Sequence, residues 1–170
     1  EGNETVNDDE IEKHLYSRQT RWFPLPERHY LRPGFIPIDA ERIEDLYAAR
    51  GFYDAEVVDV RVTRDDDKKT AEVTFVVQEH APTLIDSIDF RWPEGPPRGP
   101  IDKRAQPSAV ETHCGLIVGR PFDAEELHAS EATMRAALKS LGYALASVSG
   151  SAQIDRTARR AEVEFELAPG

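Results

Sequence analysis

The sequence predicts an α+β protein of two tandem β-α-α-β-β units, each a three-stranded mixed sheet covered on one face by two helices. Three observations predict it. First, the chain repeats itself in order. Pro37-Ile38-Asp39-Ala40-Glu41 returns as Pro121-Phe122-Asp123-Ala124-Glu125, and Gly51-Phe52 with Ala55 and Val57 returns as Gly142-Tyr143 with Ala146 and Val148. The run 71–77 returns as 161–167, so the offsets are 84, 91 and 90. Second, an apolar stripe of helical period precedes each of those glycines. Third, two strand-like runs joined by a polar turn follow each of them. The repeat places one domain at 1–81 and another at 82–170, each of about 80 residues and large enough for a modest core.

Taken in order, the first helix begins at Asn7, with Glu10 completing a capping box and Val6 and Ile11 as the hydrophobic staple. Ser17 to Pro37 reads as irregular, with four prolines, several aromatics and Arg18, Arg21, Arg28 and Arg32. The next helix runs from Asp39, read as its cap with Ile38 and Ile43 as staple, to Arg50. It aligns Ile43, Leu46 and Tyr47, and Gly51 supplies the left-handed end. Strands follow at 55–63 and 70–78 around the solvated turn Arg64 to Lys69. A strand at 84–92 opens the second unit, and its counterpart in the first would precede Gly2. Pro93 to Pro107 reads as a surface insertion and 108–114 as a short helix. Asp123 caps a long helix, with Glu126 completing the box, Phe122 and Leu127 as staple, and Leu127, Met134, Leu138 and Leu141 on one stripe. Strands at 144–154 and 160–167 close the unit, the latter alternating Val163, Phe165 and Leu167 inward with Glu162, Glu164 and Glu166 outward.

The composition excludes more than it assigns. Net charge is −11, with 11 basic and 19 acidic residues up to position 80 and 10 and 13 beyond it. Such an acidic surface argues against nucleic acid, whose phosphates need basic groups. One cysteine, Cys114, rules out an internal disulfide. No apolar run approaches the ~18 residues of a membrane-spanning helix. Glu1-Gly2 and Pro169-Gly170 read as the ends of an excised fragment. No catalytic, cofactor or metal constellation is expected. His113-Cys114 lacks the accompanying ligands of a zinc site. His14, His29, His80 and His128 are scattered. Asp65 to Asp67, followed by Lys68 and Lys69, lacks the spaced ligands and closing glutamate of a calcium loop.

The order of elements, with Gly-aromatic between second helix and hairpin, resembles POTRA domains, the periplasmic modules of the BamA/TamA family of outer-membrane assembly factors. The residues that carry it are Gly2-Asn3, Ile43 to Tyr47, Gly51 to Val57 and Val73 to Glu79, and then Gly119 to Phe122, Leu138, Leu141-Gly142-Tyr143, Ala146, Val148 and Val163 to Gly170. His80 and Phe90-Arg91-Trp92 depart from the family pattern, and 93–107 is extra.

The resemblance implies the periplasmic arm of a Gram-negative outer-membrane protein, followed by its own C-terminal membrane β-barrel. It implies no catalysis and no cofactor. The implied partners are unfolded outer-membrane protein clients, held by strand addition, and accessory assembly proteins. The implied edge is the strand after the Gly-aromatic pair, namely Glu56, Val57, Val58, Asp59, Val60 and Arg61 in the first unit and Ser147, Val148, Ser149 and Gly150 in the second. Arg21, Trp22, Phe23, Arg28 and Tyr30 form a candidate interaction loop for a neighbouring domain, lipid headgroups at a membrane surface, or an accessory subunit. The competing class is a structural interaction scaffold of a division or secretion complex with one fixed partner.

Overall fold

A computed structural model describes residues 1–17, 31–95 and 107–170. The chain divides into two compact units, Glu1–Ala81 and Pro82–Gly170. The first contains α1 (Asp8–His14), α2 (Ile36–Ala49), β1 (Glu56–Asp65) and β2 (Thr70–Gln78). The second contains β3 (Leu84–Arg91), α3 (Pro107–Glu111), α4 (Ala124–Ser140), β4 (Ser147–Asp155) and β5 (Arg160–Ala168).

In the second unit the sheet order is β3-β5-β4, with β3 parallel and β4 antiparallel to the central β5. In the first unit the described sheet is the antiparallel pair β1-β2. Glu1 already pairs with the other edge of β2. Its ammonium donates to the Phe75 carbonyl at 2.9 Å, and its carbonyl accepts from the Val77 N–H at 2.9 Å. Two bonds flanking one residue in this way are the pattern of a parallel ladder, so Glu1 stands to β2 as β3 stands to β5.

The cores follow the periodicities. Val6, Ile43, Leu46, Tyr47, Phe52 and Val77 form one buried cluster, with Ile11, Val57 and Phe75 packed against it. In the second unit Val163, Phe165 and Leu167 from β5 are buried with Leu127, Met134 and Leu138 from α4. The Phe165 ring stacks on Phe90 at 5.6 Å. Both long helices end as the glycines predict, with φ +86° at Gly51 and +100° at Gly142.

Capping is borne out at two helices and differs at the third. Asn7 accepts from the Glu10 N–H at 2.9 Å, although the Glu10 carboxylate pairs with Arg50 at 2.6 Å instead of reaching back to Asn7. Asp123 accepts from the N–H groups of Glu125 and Glu126. Asp39 is not the cap of α2. That helix starts three residues earlier, because the turn Pro33–Phe35 runs directly into it and Pro37 suits its first turn. The Asp39 carboxylate, fully buried, instead accepts from the backbone N–H groups of Tyr16 at 2.6 Å and Ser17 at 3.1 Å. The short third helix also starts and ends earlier than expected.

Glu79 ties the end of β2 to the start of the chain. Its carboxylate accepts from the Thr5 N–H, the Thr5 hydroxyl and the Tyr47 hydroxyl at 2.8, 2.7 and 2.8 Å. Burial pushes the Tyr47 phenol well up, and Glu79 pushes it the same way. For Glu79, burial alone raises the pKa, but the donated bonds outweigh it and hold the carboxyl below its ordinary 4.5. A carboxyl depressed by folding contributes stability above about pH 4.5, and that contribution is lost as pH falls through the folded value. Glu79→Gln is therefore expected to melt lower than the natural chain at neutral pH and to converge with it in acid. Circular-dichroism melts from pH 7 to 3 check this, and parallel profiles would refute it.

Candidate functional site: the free edge of each hairpin

Antiparallel strands alternate residues whose backbone groups face the partner with residues whose groups face away. The Gly150 N–H donates to the Glu131 Oε1 at 2.7 Å, so it faces away from β5. By alternation the backbone groups of Val148, Ala152 and Ile154 face the same open edge, where no strand pairs with β4 among the described residues. β1 has the same exposure, with β2 as its only paired neighbour among the described residues.

The residues expected to form these edges occupy them, in differing surroundings. In β1, Glu56, Val58, Asp59 and Arg61 are exposed while Val57 and Val60 are half-buried. A bulge between Val57 and Asp59 leaves Val58 without an opposite residue. Such an extra residue bends the strand and disrupts flat pairing. Arg61 pairs with Asp59 at 3.0 Å and with Glu1 at 3.3 Å, and these pairs hold its pKa above the usual value. In β4, Ser147 and Ser149 are exposed, Val148 is buried, and Gly150 is half-buried. β4 is unbulged throughout Ser147 to Asp155, so it is the straighter edge.

Two glutamates on the covering helices reach these edges, and the sequence reading did not single them out. Glu44 of α2 accepts from the Val57 N–H at 3.0 Å, as Glu131 of α4 does from Gly150. Their signal was faint, since each lies beside the buried stripe of its helix, where charged residues are ordinary.

The hairpin turns match at the backbone. Asp65 accepts from the Lys68 N–H and Asp155 from the Ala158 N–H, each at 2.9 Å. Lys69 and Arg159, at φ +54° and +53°, close the two turns. The Asp65–Asp67 run is thus a hairpin turn in which Lys68 also pairs with Asp65 at 3.0 Å. The loop residues Arg21, Trp22, Phe23, Arg28 and Tyr30 lie outside the described residues. Beside that loop, Tyr16 stacks on Phe35 at 5.6 Å and carries the Arg42 guanidinium 3.7 Å from its ring centroid. Among the described residues no three His, Cys, Asp or Glu side chains converge as a metal site would require, and no helix is long and apolar enough to cross a membrane.

The family model for POTRA, surface antigen variable number repeat, matches residues 1–80 and 100–170. The chain belongs to the POTRA family. Among solved structures, this POTRA chain is similar to Haemophilus influenzae BamA POTRA3-5, at 19% identity and a TM-score of 0.50. That match covers 100% of this chain and 63% of the other. It is also similar to POTRA1-2 of the periplasmic domain of Omp85 from Anabaena, at 20% identity and a TM-score of 0.40, covering 97% and 87%. At 19% identity the likeness to BamA POTRA3-5 is one of fold. No curated protein matches the chain in sequence.

Proposed function

We propose that each unit is one POTRA domain, and that the pair is a periplasmic module of an outer-membrane protein assembly or translocation factor with a C-terminal β-barrel. In this reading it holds extended segments of unfolded outer-membrane clients by adding them as a strand, and it docks accessory proteins. The family match, and the likeness of fold to BamA POTRA3-5, support the setting. The observation that carries the binding role is the open edge of β4, with outward backbone groups at Val148, Ala152 and Ile154. An extended peptide takes backbone hydrogen bonds there largely regardless of its side chains, which suits a module that meets many sequences. β4 is the first candidate, because the Val57/Asp59 bulge and the charges of Glu56, Asp59 and Arg61 blunt β1. The loop with Arg21, Trp22, Phe23, Arg28 and Tyr30 is the second candidate surface, for an accessory subunit, a neighbouring domain or lipid headgroups.

The test is titration of the ¹⁵N-labelled chain with a proline-free peptide of alternating valine and threonine. Shifts are expected to concentrate at 147–154. Ala152→Pro, which removes one outward donor and leaves the β5 ladder intact, is expected to weaken binding at least about tenfold, or ~1.4 kcal/mol. Unchanged affinity in the folded variant would remove β4 as the site. No binding along either edge would favour a scaffold with a fixed partner.

A further inference from the structure

We infer that Glu131 is a displaceable cap on the β4 edge, for which an incoming strand must compete. This rests on the strand-addition reading above. α4 comes close to β4 because position 150 is glycine. A Cβ there would lie 2.8 Å from Leu127 Cδ1 and 2.9 Å from Phe165 Cε1. Glu131 is one turn beyond Leu127 on the same side of α4. From there its Oε1 meets the Gly150 N–H at 2.7 Å, and the His128 Nδ1 stands 3.5 Å from Oε2. The Glu131 side chain is only 19% exposed, so the carboxylate is held against the strand and does not range through solvent.

The cap sits where pairing matters most. Gly150 is the fourth of nine residues in β4, so the carboxylate interrupts the middle of the edge. An added strand would place one of its own carbonyls at that N–H. A bond to a carboxylate is roughly twice as strong as one to a neutral carbonyl, so the exchange at this position is uphill and lowers affinity. The same bond shields an otherwise flat edge from pairing with another copy of the chain. The first unit repeats the device in a different place. Its carboxylate, Glu44, caps Val57 at the second residue of β1, while the bulge at Val58 interrupts the edge further along. Matching residues through their β2 and β5 partners sets Val60, opposite Phe75, against Gly150, opposite Phe165. By the same matching the Val58 bulge, between Val57 opposite Val77 and Asp59 opposite Val76, falls at the level of Val148 and Ser149, so the first unit breaks its edge with backbone just before the level at which the second breaks it with a side chain. Only the side chain can be moved aside without rebuilding the strand.

The test uses the full 170-residue chain, Glu131→Ala and Glu131→Gln, with two readouts: amide hydrogen exchange and affinity for the alternating valine-threonine peptide. Glu131→Ala is expected to quicken exchange at Gly150 at least about tenfold while Val163 and Phe165 stay unchanged, and to tighten the peptide about tenfold. Glu131→Gln, which keeps a neutral acceptor, is expected to fall between and serves if the alanine variant folds poorly. Unchanged exchange at Gly150 would overturn the cap itself. Quickened exchange with unaltered affinity, in a chain whose binding Ala152→Pro still weakens, would overturn the competition while leaving strand addition standing. Quickened exchange with no peptide bound by any variant would instead count against strand addition, and with it against the role assigned to the cap.

Discussion

Phe165→Ala is expected to destabilise the second unit by about 3–5 kcal/mol, the usual cost of emptying a phenylalanine site in a packed core. Phe165 is fully buried on the central strand, opposite Phe90 of β3 on one side and Gly150 of β4 on the other. Its ring stacks on Phe90 and fills the space that Gly150 leaves open. No neighbour easily fills the void, because the backbone of the middle strand is fixed by ladders on both sides. Chemical denaturation should show the loss, and amides of β3, β4 and β5 should exchange faster together. A loss below about 1 kcal/mol would mean that the two edge strands collapse onto the cavity, and that this core is looser than its burial implies.

Asp39→Ala is expected to cost the first unit about 3 kcal/mol. Its carboxylate has no exposed surface and accepts two backbone N–H groups, those of Tyr16 and Ser17. Hydrogen bonds to a charged acceptor contribute about 1.5–3 kcal/mol each, and truncation also leaves both donors without a partner. Asp39→Asn keeps one acceptor oxygen and is expected to recover about half of the loss. The effect should be local, with exchange at Tyr16 and Ser17 rising well before that of β1 and β2. The same substitution frees Tyr16 and Ser17, the last described residues before the sequence that carries Arg21, Trp22 and Phe23, from their bonds to α2. Equal losses in the alanine and asparagine variants would show that both carboxylate oxygens are needed as acceptors, whereas full recovery in the asparagine variant would show that packing, and not hydrogen bonding to the carboxylate, holds Asp39.

The parts of this fold legible in the sequence are those set by period and by local stereochemistry. Val163, Phe165 and Leu167 alternate cleanly because one face of β5 is covered, and Gly51 and Gly142 mark helix ends because each must adopt positive φ. Even the bulge left a trace. The repeat offset falls from 91 at Val57 and Val148 to 90 on the return strands, so the first unit carries one residue more in between, and the structure locates it at Val58. The start of α2 was misread because Asp39 has the chemistry of a cap, and only tertiary contact shows its carboxylate turned toward Tyr16 and Ser17. Glu44 and Glu131 were invisible for a related reason. A glutamate beside an apolar stripe looks like any solvated residue until the distance between helix and strand is known.

The placement of β5 has a consequence for how the chain is made. The strand in the middle of the second sheet is the last to be synthesised, and its first residue, Arg160, lies opposite Leu84, the first residue of β3. Neither flanking strand has a mate until the final hairpin emerges, so β3 waits while most of the unit is translated. Pairings so distant in sequence form slowly, and the waiting edge is exposed to aggregation meanwhile. The nascent chain thus carries an unfinished sheet, and protection of the β3 edge matters most until Ala168 has been made.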